Sequence, residues 1–263
     1  MRYTPMELAE SFLKTGELTD ALDALNQQLL DAPTDQEARR LRAQLLTRLG
    51  QPQNALDDLQ QLTDFSTDDV LLQVRLYEML GQFDDALDVL QTTYNQRPED
   101  GKLAENWWQL LTRQQRYEEA AQIAAVQLTD WRWQQLHGQS LASNGQISEA
   151  IAVYQQALAS LEAKLPNFSD QRNAQAWQAQ LMLLLVGCYV KQRDWQNAQT
   201  MLNQVRPLTE DSIVTFYTGM VAVGQGQIAD GIKYIQTALQ ASSLEVRAAL
   251  LHDLRDHEVL HLL

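Results

Sequence analysis

The stretch Gly81-Gln-Phe-Asp-Asp-Ala86-Leu carries the pattern that decides the fold: a glycine suited to a tight turn, a short polar run, and an alanine followed by a large apolar residue. Versions of this phrase recur along the 263-residue chain, with their small residue at Ala21, Ala55, Ala86, Ala120, Ala150, Ala198 and Gly231. Successive copies are 30 to 34 residues apart, except for 48 residues between Ala150 and Ala198. Recurrence at a fixed period is the signature of a repeat architecture, and the one wide spacing marks an insertion.

Each repeat is predicted to be a helix, a tight turn and a second helix. Apolar residues at helical spacing precede the turn, as at Leu72 and Leu76, and follow it, as at Leu87 and Leu90. Thr34 with Glu37 has the spacing of a capping box at a helix start. No strand alternation of comparable strength is present, so the predicted fold class is all-α. The small anchor residues are expected to let paired helices approach closely.

A helix–turn–helix unit of about 34 residues resembles the tetratricopeptide repeat family. The chain matches that family's usual residues piecewise. The first-helix tyrosine is present at Tyr77 and Tyr189, and the first-helix glycine at Gly138 and Gly219. The second-helix alanine is present at Ala157 and Ala238, and the proline after the second helix at Pro33 and Pro98. The first-helix tryptophan place departs from the pattern and holds Pro5, Arg39 and Gln134 in three repeats. The resemblance covers roughly residues 2 to 241.

This resemblance implies an α-solenoid, or superhelix, of about seven tetratricopeptide-like repeats with a C-terminal capping helix, forming a single domain over residues 1–263. The repeats are expected at 2–35, 36–66, 67–100, 101–130, 131–164, 179–211 and 212–241, with the insertion at 163–178 and the cap at 243–263. The last repeat carries Gly231 where the others carry alanine, which is expected to loosen it slightly.

The insertion is predicted to lengthen the two helices that flank it. Pro166 is expected to end a long second helix, and Ser169 or Asp170 to cap a first helix that continues to about Lys191. The insertion is either a functional elbow or a tolerated surface extension, because insertions in repeat proteins usually map to loops.

The family resemblance implies a non-catalytic scaffold that binds a protein or peptide in a concave groove lined by first helices. Carrying over the family's register places in this groove Arg40, Gln44, Arg75, Lys102, Gln109, Arg132, Gln139, Leu183, Phe216 and Met220. A groove that is cationic at one end and apolar at the other suits a peptide with acidic and apolar segments. The alternative is that these cations only pair with neighbouring acids. A second alternative is a self-associating adaptor, a homodimer through the apolar C-terminal repeats.

Composition limits the other classes of function. The chain has 34 acidic and 20 basic residues, a formal net charge of −14, which disfavours nucleic acid and anionic membrane surfaces as partners. The N-terminus carries no apolar run, so neither a signal peptide nor membrane insertion is expected, and a cytoplasmic location is predicted. Cys188 is the single cysteine and is expected to be a core thiol.

One motif points towards metal chemistry. His257-Glu-Val-Leu-His261 has the H-E-x-x-H form of zinc hydrolases, with Asp253 one turn earlier as a third ligand. Only two residues follow His261, so the chain supplies no downstream ligand, and the preferred interpretation is an accidental match around His257, Glu258 and His261. The chain is therefore predicted not to be an enzyme and to hold no cofactor or metal.

Overall fold

The computed structural model describes residues 3–209, 212–256 and 259. All regular secondary structure in these residues is helical, and the chain divides into two compact units, Met1–Gln114 and Gln115–Leu263. The α-helices are α1 Pro5–Thr15, α2 Leu18–Asp31, α3 Gln36–Arg48, α4 Pro52–Leu59, α5 Thr67–Met79, α6 Phe83–Gln96, α7 Gly101–Arg113, α8 Tyr117–Ala125, α9 Trp131–Ser143, α10 Ile147–Glu162, α11 Gln171–Lys191, α12 Trp195–Val205, α13 Ser212–Gly224, α14 Ile228–Ala241 and α15 Leu244–Asp256. A short 3₁₀ helix, Leu165–Asn167, lies between α10 and α11.

Within each unit, consecutive helices pack in pairs, which confirms the predicted all-α solenoid class. The first unit contains the pairs α1–α2, α3–α4 and α5–α6 together with α7, and the second contains α9–α10, α11–α12 and α13–α14 together with α8 and α15. Each pair falls inside one predicted repeat, except that α11 begins at Gln171, within the predicted insertion. The prediction of a single domain over the whole chain stays a prediction. No helix of the described residues combines the length and the apolar character that crossing a bilayer requires.

The helix starts follow local capping chemistry. Thr4 caps α1 ahead of Pro5, and its hydroxyl accepts a hydrogen bond of 3.2 Å from the backbone N–H of Glu7. The prediction that Thr34 caps the third helix is wrong by one residue. Asp35 is the cap instead, because its carboxylate accepts hydrogen bonds from two backbone N–H groups, those of Glu37 and Ala38, at 3.1 and 3.0 Å.

The glycine of the repeated phrase occupies the left-handed region at the turn. Gly81 has φ of 73°, and four other turn glycines have φ between 71° and 86°. Two turns lack this glycine, and there Gln115 and Arg193 each adopt φ of 58°, a conformation that costs an ordinary residue free energy. The fourth copy of the phrase thus begins at Gln115, five residues before Ala120, the same spacing as from Gly81 to Ala86.

The small anchor residues lie where paired helices come closest. All six anchor alanines are fully buried in the structure, at Ala21, Ala55, Ala86, Ala120, Ala150 and Ala198. At the seventh anchor, a Cβ added to Gly231 would lie 2.8 Å from the carbonyl oxygen of Gly219. The expectation that Gly231 loosens its repeat is therefore wrong, because the glycine allows the backbones of α13 and α14 to touch.

The first unit also contains a buried ion pair. The Arg42 guanidinium donates to both carboxylate oxygens of Asp58, with an Nε–Oδ2 distance of 2.7 Å, and to the side-chain oxygen of Asn26. Asp58 is 2% exposed. These bonds tie α3 to α4 and α2, so they stabilise two successive helix pairs.

Candidate functional site

A groove of about 780 Å³ lies in the second unit. Two first helices, α11 and α13, form its walls, and the segment after α12 closes one side. The lining residues are Arg172, Gln175, Ala176, Ala179, Gln180, Leu183 and Leu184 on α11, then Leu208, Thr209, Ile213 and Tyr217. We call this surface the α11–α13 groove.

The spacing of apolar residues on α11 explains the groove. The lining positions recur at intervals of three or four residues, so they share one face of the helix. A different face carries Ala174, Leu181 and Leu185, which are fully buried in the core. Ala176 and Ala179 are short, and the space beside them forms the hollow.

Tyr217 lines the groove, and its hydroxyl group is hydrogen-bonded to α15. The hydroxyl donates a hydrogen bond of 2.9 Å to the Asp253 carboxylate on α15. Burial, together with the Asp253 charge, raises the pKa of Tyr217 well above its usual range. A Cβ on Gly187 would approach this hydroxyl to 2.9 Å, so glycine at that position makes room for it.

The groove has one charged lining residue among those that the structure describes, Arg172. Its side chain is exposed, and no described carboxylate lies within 4.0 Å of its guanidinium. Gln175 and Gln180 add amide groups that both donate and accept hydrogen bonds. The groove therefore presents a positive charge and amides around an apolar floor.

The predicted groove residues of the C-terminal repeats separate into two groups. Leu183 lines the groove and is partly buried. Phe216 is fully buried and Met220 is 2% exposed, so these two side chains belong to the core and not to an accessible wall. The register places residues on a helix face, but α13 turns that face into the hydrophobic core that also contains Ile235 and Leu254.

The predicted cationic residues are partly engaged in internal contacts. Arg40 forms a 2.9 Å ion pair with Asp69, which is 4% exposed. Burial opposes ionisation of Asp69, yet hydrogen bonds from Ser66 and Arg40 outweigh it and hold the pKa of Asp69 below its usual value. Lys102 lies 3.8 Å from Asp68 at an exposed position. The alternative that the cations pair with neighbouring acids therefore describes Arg40 with a buried acid, and Lys102 and Arg132 with exposed ones.

The other predicted groove residues remain accessible. Gln44, Arg75 and Gln109 are exposed in the first unit, and Gln139 is partly exposed in the second. Arg132 is exposed and lies 3.4 Å from Asp130, with its guanidinium stacked on tryptophan rings. Their role in binding stays a prediction.

The residues considered for catalysis take no reactive arrangement in the described part of the chain. Cys188 is buried, and burial raises the pKa of its thiol to about 11. Asp253 is held by Tyr217, whereas His257, Glu258 and His261 lie outside the described residues. Across residues 3–209, 212–256 and 259, no cluster of three His, Cys, Asp or Glu side chains is placed to hold a metal ion.

Sequence reasoning missed the residues that distinguish this groove, namely Arg172, Gln175, Gln180 and Tyr217. Arg172 and Gln175 lie within the insertion, outside the repeat register from which the groove was predicted. The available signal was the predicted length of the helix that ends near Lys191, which carries a first helix beyond its usual start.

The helix pairs, the turn geometry and the small anchor residues have the arrangement of tetratricopeptide repeats. Residues 11–135 match the family model described as the N-terminal TPR repeats region of Psidin. No curated protein is significantly similar to the chain in sequence.

Solved structures show the same fold. The C-terminal part of a TPR repeat-containing protein from Cytophaga hutchinsonii superposes with a TM-score of 0.61 and 12% identity, over 88% of this chain and 92% of that one. A tetratricopeptide repeat protein from Parabacteroides merdae gives a TM-score of 0.52 and 17% identity, over 95% and 96%. A chain in the structure of Naa15/Naa10 bound to HypK-THB gives 0.54 and 14%, over 95% of this chain and 39% of that one. The tetratricopeptide fold serves in general as a scaffold for protein–protein interaction.

Proposed function

We propose that the chain is a non-catalytic scaffold that binds a segment of a partner polypeptide in the α11–α13 groove. The observation that carries this proposal is the groove itself, a hollow of about 780 Å³ between two successive first helices of the repeat array. Ligand sites combine an apolar lining with a few convergent polar groups, and the groove has both.

The chemistry of the lining suits a polypeptide. Leu183, Leu184 and Ile213 offer apolar contact for a large side chain of the partner. The amides of Gln175 and Gln180 can pair with backbone N–H and C=O groups of a bound segment. This arrangement matches recognition of a short extended or helical segment through an apolar anchor and polar contacts at its sides.

The exposed residues on the other first helices are proposed as further contacts for acidic segments of the partner. They are Gln44, Arg75, Lys102 and Gln109 in the first unit, and Arg132 and Gln139 in the second. Arg75, Lys102 and Arg132 are positive charges in a chain with a net charge of −14. Arg40 is excluded from this set because it is paired with the buried Asp69.

The test fills the groove without disturbing the core. Ala176 is an exposed lining residue, and Ala176→Trp places an indole in the hollow. Ala152 on α10 is also exposed but lies outside the groove, so Ala152→Trp is the matched control. A library of random peptides displayed on phage is selected against the wild-type protein, and the enriched peptides are synthesised.

We expect peptides whose binding is lost in Ala176→Trp and retained in Ala152→Trp, as measured by fluorescence polarisation. The proposal fails if no peptide is enriched, or if every enriched peptide binds both variants equally. A circular dichroism melt of each variant confirms that the fold is intact.

Self-association is a second candidate function. Three large apolar side chains are exposed on α14 and α15: Ile228 at 47%, Tyr234 at 45% and Leu244 at 82%. Exposed apolar side chains of this kind are suited to contact with a second copy of the chain. Light scattering over a range of concentrations tests it, and a monomer at all of them removes the homodimer.

A further inference from the structure

The groove owes part of its wall to the insertion. The first helices α3, α5, α7, α9 and α13 each have 13 residues, whereas α11 has 21, which is eight more. A 13-residue helix that ended at Lys191 would begin at residue 179, so residues 171–178 are the added turns. Arg172, Gln175 and Ala176, three of the lining residues, lie in these turns.

The added turns are held by a specific set of contacts. Trp177 packs against Trp131 with ring centroids 5.5 Å apart, and against Phe168 of the insertion at 5.4 Å. The guanidinium of Arg132 lies 4.7 Å from the Trp131 ring centroid and 5.4 Å from that of Trp177. We call these four residues the aromatic clasp. It joins α9, the insertion and the start of α11.

Hydrogen bonds fix the corner beside the clasp. Asp170 caps α11, because its carboxylate oxygen accepts hydrogen bonds from the backbone N–H groups of Arg172 and Asn173, each with an N–O distance of 3.1 Å. The side-chain amide of Gln171 donates to the carbonyl oxygens of Leu165 and Phe168, at 3.1 and 2.8 Å. These hydrogen bonds order the corner between the 3₁₀ helix and α11.

The charge that this element places in the groove is positive and has no internal partner among the described residues. Arg172 is exposed, and the other described lining residues are neutral. Among its described lining residues, the groove thus carries one positive charge and no negative one, in a chain with a net charge of −14. A carboxylate is the group that a guanidinium recognises with two parallel hydrogen bonds.

We propose that the insertion builds a recognition site for a polypeptide segment that carries an acidic side chain close to a large apolar one. Arg172 binds the carboxylate, while Ala176, Leu183 and Ile213 receive the apolar side chain. Trp177, through the aromatic clasp, is the positioning residue that holds Arg172 at the groove. This inference rests on the proposed function and adds the chemistry of the partner.

The peptides selected on the wild-type protein test this chemistry. We expect an Asp or Glu within a few residues of a large apolar side chain, and Arg172→Glu should weaken binding by about tenfold or more, the effect of one charge-assisted pair. Lys233→Glu makes the same change of charge at an exposed position of α14 outside the groove and should leave binding unchanged. Replacing the acid of the peptide with lysine should restore binding to the Arg172→Glu variant.

Two substitutions of Trp177 test the role of the aromatic clasp in binding. Trp177→Ala should weaken binding of the acidic peptide by about fivefold or more, which is the effect of one lost aromatic contact. Trp177→Phe should retain binding, because it keeps an aromatic ring against Trp131. If Trp177→Ala binds as tightly as the wild type, the insertion is an extension without a part in recognition.

The outcomes distinguish failure of the carboxylate site from failure of the groove as a binding site. Peptides that Ala176→Trp excludes but that show no acidic preference, or that ignore Arg172→Glu, overturn the carboxylate site and leave the groove proposal intact. Peptides that ignore Ala176→Trp overturn both.

Discussion

Replacing Gly231 by alanine should destabilise the second unit, although glycine-to-alanine changes inside helices usually stabilise. A Cβ at this position would lie 2.6 Å from Val223 Cγ2, 2.8 Å from the Gly219 carbonyl oxygen and 2.9 Å from the Val223 backbone nitrogen. Two of these three atoms belong to the backbone, so no rotamer change relieves the overlap, and α13 and α14 must move apart. Alanine gains about 1 kcal/mol of helix propensity over glycine. Overpacking of this kind costs typically about 1–3 kcal/mol, and contact with backbone places it at the upper end.

The net expectation is therefore a loss of about 1–2 kcal/mol of unfolding free energy, measured by urea denaturation followed by circular dichroism. Gly101, the first residue of α7, is the matched control, because a Cβ there meets nothing within 4 Å. Gly101→Ala should leave stability unchanged or raise it. If Gly231→Ala proves as stable as the wild type or more so, the close contact between α13 and α14 is not present in solution.

Other perturbations test the remaining parts of the structure. Asp58→Ala should cost about 2–3 kcal/mol in a urea titration, because the partly buried Arg42 guanidinium loses its carboxylate partner and keeps only its hydrogen bond to Asn26, and Asp58→Asn should cost less. Arg193→Gly should raise the unfolding free energy by about 1 kcal/mol, since Arg193 has φ of 58°; a decrease would show that its side chain matters more than its backbone. Cys188, with a thiol pKa raised to about 11, should react with a thiol reagent at pH 8 only when urea unfolds the chain, and rapid labelling of the native protein would contradict its burial. Asp69 has a lowered pKa, so the stability it contributes is present above its unfolded pKa of about 3.9 and is lost as pH falls through its lower folded value; Asp69→Asn should flatten this acid limb of the stability profile.

The repeat phrase predicts much of the fold because its chemistry is local. The turn glycine, the small anchor and the flanking apolar spacing each act within a few residues, so the helix pairs follow from the sequence. The cap of α3 was displaced by one residue because two adjacent side chains, Thr34 and Asp35, can both act as caps. The carboxylate of Asp35 reaches two N–H groups, and this decides between them.

The proposed binding surface was less predictable because it depends on contacts between distant segments. A register can place Phe216 and Met220 on a face of their helix, but their burial depends on what packs over that face in three dimensions. Gly231 reads as a weak helix former until its distance from Gly219 is known. Arg172 lies in the insertion, and a register built from the repeats has no position for it.

The eight added residues of α11 are confined to one corner of one hairpin, and the left-handed turn at Arg193 and the buried anchor Ala198 follow them with the same five-residue spacing as Gly81 and Ala86. Such an appendage can lengthen, shorten or change its side chains while the remaining hairpins keep their spacing. We therefore expect that this segment can be transferred to another helical repeat protein. Residues 163–178, grafted with their aromatic partners onto another array of helical hairpins, would carry the groove wall with them.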